Sequence, residues 1–283
     1  MMVFLIAVLV LFLYWTFNKA HKNTKDIVIN KIYVEQDGVQ GSQQSLNILH
    51  LSDLHLENIS ISPEELFDRL KEEEIELVAL TGDFLDRTRT IPKLGPYLKA
   101  IQQLNAKYGV YAVLGNHDYK LNEDSLNRLI STLKEHGCTV LQNENTSIVV
   151  DGKILNIIGI DDNHTHRSDV AASYSGIQQK GTNLVLTHDP NIVLKMKNYH
   201  FEYLLSGHFH GGQICYPKAY HLIKMGKLIR MNMVKGLHKH EGKLFYINEG
   251  LGQTGINIRV GSRPEITLHQ FPISAAVNKA AAI

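Results

Sequence analysis

Cysteine is scarce in this sequence. The 283 residues include Cys138 and Cys215 alone, which fit no zinc-binding spacing, and a disulfide framework would need more of them. We therefore expect two unpaired thiols. Net charge is also nearly absent, at +1 with scattered basic residues, so nothing marks a surface for duplex nucleic acid and no nucleic-acid partner is expected. The 44% of hydrophobic residues can supply a full core, which excludes a largely disordered chain.

Charged side chains are missing altogether from residues 1–18, which form a continuous apolar run. A helix of that length measures about 27 Å, and snorkelling by Lys19 and Lys22 would let it cross a bilayer. A cleavable secretory signal favours a basic start and a small-x-small site, and neither is present. The run therefore predicts an uncleaved single-pass anchor in the cell membrane, with a weakly cleaved export signal as the alternative. Because Lys19, Lys22 and Lys25 follow the span, the positive-inside rule predicts that the domain after it faces the cytoplasm.

Hydrophobic patterning divides the rest of the chain. We predict a linker and first strand over residues 19–45, one large folded domain over 46–272 and a flexible tail over 273–283, with a Gly/Ser/Gln loop at 36–44. Helices are predicted at 62–74, 96–104, 124–136 and 190–197. Strands are predicted at 27–34, 46–51, 77–80, 110–114, 146–150, 153–160, 184–187, 203–206, 243–248 and 265–271. This order indicates two sheets packed face to face with helices outside.

Five short segments carry metal-ligand side chains. They are Asp53-Leu54-His55, Gly82-Asp83, Gly115-Asn116-His117-Asp118, His188 and Gly207-His208-Phe209-His210. Carboxylates and neutral imidazoles bind first-row transition metals, and this set exceeds the needs of one ion. A two-metal site clamps the attacking and leaving oxygens of a displacement at phosphorus and lowers the pKa of a bound water. The segments therefore predict phosphoester hydrolysis, at the strand ends where open α/β sheets place their ligands.

In this order the five segments resemble the calcineurin-like metallophosphoesterase superfamily, whose pattern is D-x-H, G-D, G-N-H-[DE], a lone His and G-H-x-H. The Gly211-Gly212-Gln213 that follows is similar to the membrane-associated bacterial branch, which contains cell-wall phosphoesterases and UDP-2,3-diacylglucosamine pyrophosphatases. The resemblance covers residues 46–272. It implies an α/β fold of the four-layer α/β/β/α sandwich type.

The resemblance also implies a role for each site residue. It places His117 near the scissile phosphate, where the protonated ring stabilises developing charge or protonates the leaving oxygen. Asp118 fills the acidic position of the family, and we expect it either to orient His117 or to cap a helix or turn. The resemblance assigns the metal ligands as Asp53, His55 and His210 on one metal, Asn116, His188 and His208 on the other, and Asp83 as the bridging carboxylate.

The sequence departs from this branch at one point. Many of its members carry an arginine near the positions of Asn248 and Glu249, and this chain has none there. Arg259 could substitute as an anion clamp, although a salt-bridged surface arginine is the favoured expectation. His164 and His166 are interpreted as members of a polar surface loop, with a surface metal site as the alternative.

Taken together, these features predict a membrane-anchored, dinuclear metal-dependent phosphoesterase that hydrolyses a phosphodiester or pyrophosphate, with a lipid or nucleotide-sugar lipid as a candidate substrate. Mn²⁺ is the expected ion for the mixed O and N ligands, with Fe, Zn or Mg as alternatives. One rival is a cyclic-nucleotide or other soluble phosphodiesterase for which the anchor is only a tether. The other is a metal-binding scaffold without turnover, which the presence of His117 and Asp83 disfavours.

Overall fold

A computed structural model of the protein describes residues 1–35 and 45–273. Within these ranges the chain forms two six-stranded sheets. The strands are β1 Val28–Tyr33, β2 Ser45–Leu51, β3 Leu77–Thr81, β4 Val110–Val113, β5 Cys138–Val140, β6 Glu144–Val150, β7 Lys153–Ile160, β8 Thr182–Thr187, β9 Tyr203–Ser206, β10 Gly236–His240, β11 Lys243–Ile247 and β12 Glu265–Pro272.

Most strands in both sheets run parallel. The first sheet has the order β1-β12-β2-β3-β4-β5, with β2 to β5 parallel and β12 antiparallel to β2. The second has the order β10-β11-β9-β8-β7-β6, with antiparallel pairs only at its two edges. Parallel strands covered on both faces are continuously apolar, and all five residues of β3 are indeed buried.

The helices cover the outer faces of the sheets. Ser62 caps α2 by accepting a hydrogen bond from the Glu65 amide, and Pro63 occupies the first helical position. Gly137, with φ of +76°, ends α4 in the left-handed conformation that commonly stops a helix. The α-helices are α1 Met2–Lys22, α2 Pro63–Leu70, α3 Leu94–Gln102, α4 Glu123–Glu135, α5 Val170–Ser173 and α6 Lys227–Arg230.

Three apolar layers hold these elements together. The first lies between α2, α3, α4 and the first sheet, and the second lies between the two sheets. The third lies between the second sheet and a cover of short helices, which includes α6 and the 3₁₀ helix Pro190–Lys195. The predicted α/β/β/α sandwich is confirmed, with an outer layer on the second sheet that consists of short turns of helix.

Helix α1 projects from this body, and Ala20 is its one buried residue. By length and composition it could cross a membrane, a test that a signal sequence also passes. Its C-terminal end is bonded to a loop of the domain: the Ala20 carbonyl accepts from the Arg259 amide at 2.9 Å, and Asn23 Nδ2 donates to the Arg259 carbonyl at 2.9 Å. His21 Nδ1 also lies 2.9 Å from the Asn257 carbonyl.

Several predicted elements differ from the structure. Helix α2 ends at Leu70 instead of residue 74, because the Glu72-Glu73-Glu74 run that follows would oppose the helix dipole. Strands β5 and β10 were not predicted, since β5 has three residues and β10 contains Leu237 as its one strongly apolar side chain. The predicted loop at 36–44 and the tail beyond Ile273 lie outside the described residues.

Candidate metal centre

The seven predicted metal ligands lie just past the carboxyl ends of five parallel strands, three in the first sheet and two in the second. None of their side chains is more than 7% exposed. Residues that are far apart in sequence are thus brought to one buried place. They are Asp53 and His55 after β2, Asp83 after β3, Asn116 after β4, His188 after β8, and His208 and His210 after β9.

The ligand atoms fall into overlapping groups of three, within each of which all atoms lie within 4.8 Å of one another, and two of these groups consist only of predicted ligands. Asp83 Oδ2 faces both groups, at 3.2 Å from His188 Nε2 and 3.5 Å from His55 Nε2. One carboxylate therefore occupies the position that a bridging ligand needs. The groups are Asp53, His55 and His210, and Asp83, His188 and His208.

Several buried polar atoms of this centre have no hydrogen-bond partner. They are His55 Nε2, Asn116 Oδ1, His208 Nε2 and His210 Nδ1. Buried polar atoms without partners are costly, and a folded protein retains few of them. Carboxylate oxygens, imidazole nitrogens and an amide oxygen are together a donor set for first-row divalent cations, so the residues fit a pair of such ions.

The backbone is strained at five of the ligands. Left-handed φ values are uncommon outside glycine, and each costs on the order of 1 kcal/mol or more. Such strain persists only where the surrounding structure enforces it, and it clusters at functional sites. The turns after the strands thus aim their side chains inwards while lowering local stability. The values are 50° at Asp53, 36° at His55, 54° at Asp83, 74° at His208 and 50° at His210.

Glycine precedes three of the predicted ligands, and at two of these positions, Gly115 and Gly207, a side chain would meet another side chain of the centre. A Cβ at Gly115 would lie 2.2 Å from Asp83 Oδ1. A Cβ at Gly207 would lie 1.9 Å from Ser52 Oγ and 2.2 Å from Asp53 Oδ2. These approaches explain the glycines of the G-N-H and G-H-x-H segments, since only a residue without a side chain fits there.

Hydrogen bonds on the far side of two rings aim their other nitrogens at the centre. His188 Nδ1 lies 2.7 Å from the Thr81 carbonyl, which can only accept, so Nδ1 donates and Nε2 faces Asp83. His55 Nδ1 lies 2.9 Å from Asp86 Oδ1, which leaves its Nε2 toward the ligand group. Such outer contacts fix the tautomer and the orientation of metal-binding histidines.

Carboxylates and histidines at the centre shift one another's pKa. Burial disfavours the charged form of His188, yet the carboxylates of Asp83 and Asp53 raise its pKa well above its usual range. Burial acts in the same way on His55, but the nearby carboxylates of Asp83 and Asp86 raise its pKa to about 10. Although burial opposes the charge of Asp83, His188 and His55 hold its pKa well below its usual range. The buried carboxylates therefore require positive charge, which ring protons or divalent cations supply.

His117 lies at the edge of the centre, with a side chain that is 17% exposed. Its ring packs edge-on against His55 with 4.8 Å between centroids, and Lys120 Nζ lies 3.0 Å from its Nε2. Its Nδ1 is 2.6 Å from Asp86 Oδ1. Sequence analysis missed Asp86, and the signal that could have found it is a second carboxylate three residues after Asp83.

The predicted contact between Asp118 and His117 is not found. Asp118 Oδ2 accepts from the amides of Asp83 and Gly115, both at 2.9 Å, and its Oδ1 accepts from the Phe84 amide at 2.9 Å. Because backbone amides take both oxygens, Asp118 ties the loop after β3 to the loop after β4. The turn-capping alternative describes these contacts, and Asp86 makes the contact with the His117 ring.

Arg259 is fully buried, so the expectation of a surface arginine is wrong. Its Nη1 donates to the carbonyls of His210 and Glu249, at 2.8 and 2.7 Å. Its Nη2 donates to the carbonyls of Gly250 and Gly252, at 3.0 and 2.7 Å. Four carbonyls thus occupy both Nη atoms, so the guanidinium holds the His210 segment against the loop at 249–252.

A cavity of about 420 Å³ adjoins the His117 side of the centre. Asp86, which contacts His117, forms part of its wall together with Glu57, Arg87, Arg89 and Lys93, so the wall carries two acidic and three basic side chains. Across residues 1–35 and 45–273, these three cations take part in no ion pair with an acidic side chain. The exposed charges of Arg87, Arg89 and Lys93 therefore lie next to Asp86, which contacts the His117 ring.

His164 also adjoins the centre, although the sequence favoured a polar surface loop for it. Its side chain is exposed, but its ring centroid is 4.9 Å from that of the ligand His208. One nitrogen of His164 lies within 4.8 Å of ligand atoms from Asp189 and His208. His166, two residues further along, is exposed as expected.

Comparison with known proteins agrees with this geometry. The family model for calcineurin-like phosphoesterases matches residues 46–212. The Bacillus subtilis protein described as uncharacterized metallophosphoesterase YkoQ is 59% identical over 266 residues, which are 94% of this chain and 97% of that protein. The UDP-2,3-diacylglucosamine pyrophosphatase LpxG of Chlamydia muridarum is 25% identical over 278 residues, covering 79% of this chain and 82% of that protein. A dimetal phosphatase structure from Danio rerio covers 74% of this chain and 89% of that one, with 12% identity and a TM-score of 0.44.

The two packed sheets and the paired ligand groups define a metal-dependent phosphoester hydrolase. More particularly, the chain belongs to the calcineurin-like phosphoesterase family.

Proposed function

We propose that this protein is a membrane-anchored phosphodiesterase or pyrophosphatase with two divalent cations, Mn²⁺ being the expected ion and Fe, Zn or Mg the alternatives. The observation that carries the proposal is the pair of buried ligand groups that meet at Asp83. When bound, the cations supply Lewis acidity and a nucleophile at neutral pH. We assign Asp53, His55 and His210 to one cation, Asn116, His188 and His208 to the other, and Asp83 to both.

Three further residues serve this centre. We assign His117 the task of protonating the leaving oxygen or stabilising the charge that develops there. Asp86 orients that ring through its 2.6 Å contact with Nδ1. Asp118 acts at a distance from the reacting atoms, because its bonds to the amides of Asp83 and Gly115 hold two ligand loops in place.

We infer that α1 anchors the protein in the cell membrane, with the catalytic domain on the cytoplasmic side. Large apolar side chains along the helix face outwards, as at Phe4 with 71% exposure and Leu13 with 56%, and a surface of this kind is costly in water. The helix end is hydrogen-bonded to the domain, which favours retention over cleavage. Lys19 and Lys22 in the last turn favour the cytoplasmic side.

The cavity beside Asp86 favours a substrate that carries a second anionic group, as a pyrophosphate does. Arg87, Arg89 and Lys93 would face that group, beside the residues that would hold the two cations. A lipid-linked pyrophosphate would suit both this cavity and the anchor. The similarity to the LpxG pyrophosphatase, at 25% identity, supports the same substrate class.

The test compares the full chain in detergent with Asp83→Ala. Metal content by mass spectrometry and hydrolysis of bis(p-nitrophenyl) phosphate are measured for both. Because Asp83 faces both ligand groups, we expect the variant to lose metal and at least about a hundredfold in turnover, more than loss of an outer contact costs. Asp68→Ala, on the exposed side of α2, is the matched control and should equal the wild type. Equal metal content and turnover in Asp83→Ala would refute the assignment.

A further inference from the structure

A second apolar surface faces outwards besides α1. It lies in the segment that begins shortly after the G-H-x-H ligands. Exposed fractions are 41% at Ile214, 82% at Tyr216, 61% at Tyr220, 49% at Ile223 and 37% at Met231. Apolar side chains scattered singly are normal on a soluble protein, but a group within one short segment marks an interaction surface.

The exposed side chains belong to a segment that is fixed to the domain. Leu228 and Ile229 of α6 are buried in the apolar layer on the outer face of the second sheet. Asn191 accepts from the Leu228 amide at 3.2 Å and donates to the Met225 carbonyl at 2.9 Å. In the 3₁₀ helix Tyr220–Met225, residues three apart share a face, so Tyr220 and Ile223 point the same way. Their outward direction is therefore set by packing.

Charge on this segment has one sign. No aspartate or glutamate occurs between Glu202 and Glu241. A surface that mixes tyrosine and aliphatic side chains with basic residues, and lacks acidic ones, matches the head-group region of an anionic bilayer. The exposed basic side chains of the segment are Lys218, Lys224, Lys227 and Arg230.

This segment and the end of α1 are bonded to the same short loop. The Cys215 amide donates to the Val260 carbonyl at 2.6 Å, and Gln213 Nε2 donates to the Ile256 carbonyl at 3.0 Å. The Arg259 amide in that loop donates to the Ala20 carbonyl at the end of α1. Ile256 itself is 61% exposed. The apolar segment is thus adjacent to the point where the chain would enter the membrane.

We propose that Ile214, Tyr216, Tyr220, Ile223 and Met231, with their basic neighbours, form a basic apolar face that lies on the surface of an anionic bilayer. The proposal rests on the anchoring role of α1 given above. The ligand His210 precedes this face by four positions, so the metal centre lies beside the lipid surface. The substrate class that fits is a phosphoester whose lipid part stays in the bilayer during hydrolysis.

The test uses indole fluorescence, because Trp15 in α1 is the sole tryptophan of the sequence. The full chain is reconstituted into phosphatidylcholine vesicles containing phosphatidylglycerol, with or without brominated acyl chains that quench indoles inside the bilayer. The double variant Trp15→Phe and Tyr220→Trp carries its one indole at position 220, so its quenching reports lipid contact of the basic apolar face. Trp15→Phe combined with Val149→Trp is the control, since Val149 is 64% exposed on the edge strand β6, opposite the β10 edge.

We expect several-fold greater quenching at position 220 than at position 149. Quenching at 220 should weaken when phosphatidylglycerol is omitted or when Lys224→Gln and Lys227→Gln are added. The wild type, read at Trp15, reports whether α1 itself is inserted. Quenching of Trp15 with none at position 220 would overturn the proposed lipid contact of the basic apolar face but support membrane insertion of α1. Quenching at neither position would overturn both proposals.

Two other outcomes would also overturn the proposal. Equal quenching at 149 and 220 would mean that the domain has no fixed orientation on the bilayer. A shielded but unquenched indole at 220 would mean that a second copy of the chain covers the face. Hydrolysis of bis(p-nitrophenyl) phosphate by the same preparations measures the proposed catalytic function separately, so its failure is distinguishable from failure of the lipid contact.

Discussion

His55 and His117 share one carboxylate oxygen. Oδ1 of Asp86 lies 2.9 Å from Nδ1 of His55 and 2.6 Å from Nδ1 of His117. The two rings meet edge to face, with an interplanar angle of 90°. Asp86 therefore orients a proposed metal ligand and the proposed proton donor together, so that the two rings keep one geometry relative to each other.

Asp86→Ala should lower kcat for bis(p-nitrophenyl) phosphate by about 10- to 100-fold, because both rings lose the partner that orients them. Asp86→Asn should recover part of this loss, since its amide oxygen still accepts a hydrogen bond. The alkaline limb of the pH–rate profile, where a proton donor loses its proton, should move in Asp86→Ala, which a purely structural role would not cause. Asp68→Ala is the control, and wild-type rates in Asp86→Ala would contradict the assignment.

Arg259→Met should lower the free energy of unfolding by about 3 kcal/mol or more, because four buried carbonyls lose their charged donor. Urea unfolding of the full chain in detergent measures this change. Arg263→Gln breaks a 3.3 Å ion pair with Asp26 at the surface and should stay within about 0.5 kcal/mol of the wild type. Weaker inhibition by phosphate in Arg259→Met, without a loss of stability, would instead favour an anion clamp.

Two buried histidines should make the protein sensitive to acid. Burial lowers the pKa of His50 to about 3 against the attraction of Asp53, and burial together with His50 holds the pKa of His269 well below its usual range. Below a pH of about 6.5 the unfolded chain binds protons that the folded chain excludes, so stability falls as pH falls. Each ring should lower the free energy of unfolding by about 1 kcal/mol as the pH falls by the first unit below about 6.5.

His269→Phe should flatten this slope, as measured by urea unfolding at a series of pH values. The variant also removes the 3.0 Å contact of His269 Nδ1 with the Tyr203 hydroxyl, so its overall stability will drop, and the slope is the diagnostic quantity. His166→Gln changes an exposed ring and should keep the wild-type slope. An unchanged slope in His269→Phe would show that the folded state accommodates the charged ring.

Metal binding should release protons. The raised pKa values of His55 and His188 mean that both rings hold protons near neutral pH when no cation is bound, and an imidazole must be neutral to act as a ligand. About two protons should be released as the chelator-treated protein is loaded with Mn²⁺ in weakly buffered solution, as a pH indicator would record. Affinity should fall as pH falls. Asp83→Ala should release fewer protons, and no release from the wild type would exclude these rings as ligands.

Replacing the three basic side chains of the cavity by neutral ones should abolish the preference of the enzyme for ligands that carry a second phosphate. In the wild type, uridine diphosphate should inhibit bis(p-nitrophenyl) phosphate hydrolysis about tenfold more strongly than uridine monophosphate, at equal free Mn²⁺. Combining Arg87→Gln, Arg89→Gln and Lys93→Gln should bring the two inhibition constants together. Lys134→Gln, at the exposed end of α4, is the control. If the ratio survives in the triple variant, the second phosphate binds elsewhere.

The convergence of the candidate ligands could be predicted from the sequence because each follows an apolar run that forms a strand, as Asp83 follows β3. The residues that hydrogen-bond to the candidate ligands from outside the centre could not be predicted from the sequence. Asp86 and Asp118 are both acidic residues close to a ligand, and only the fold of two turns decides which one reaches His117. Arg259 resembled a surface cation because carbonyls from separate loops converge on it only after folding.

The link between α1 and the catalytic machinery is one residue long. The amide of Arg259 holds the Ala20 carbonyl, and its guanidinium holds the His210 carbonyl. In the membrane-anchored form proposed above, this short link would keep the metal centre at a constant height above the head groups. Resident lipids would reach it by lateral diffusion, a search in two dimensions, whereas esters held further from the membrane would stay out of range.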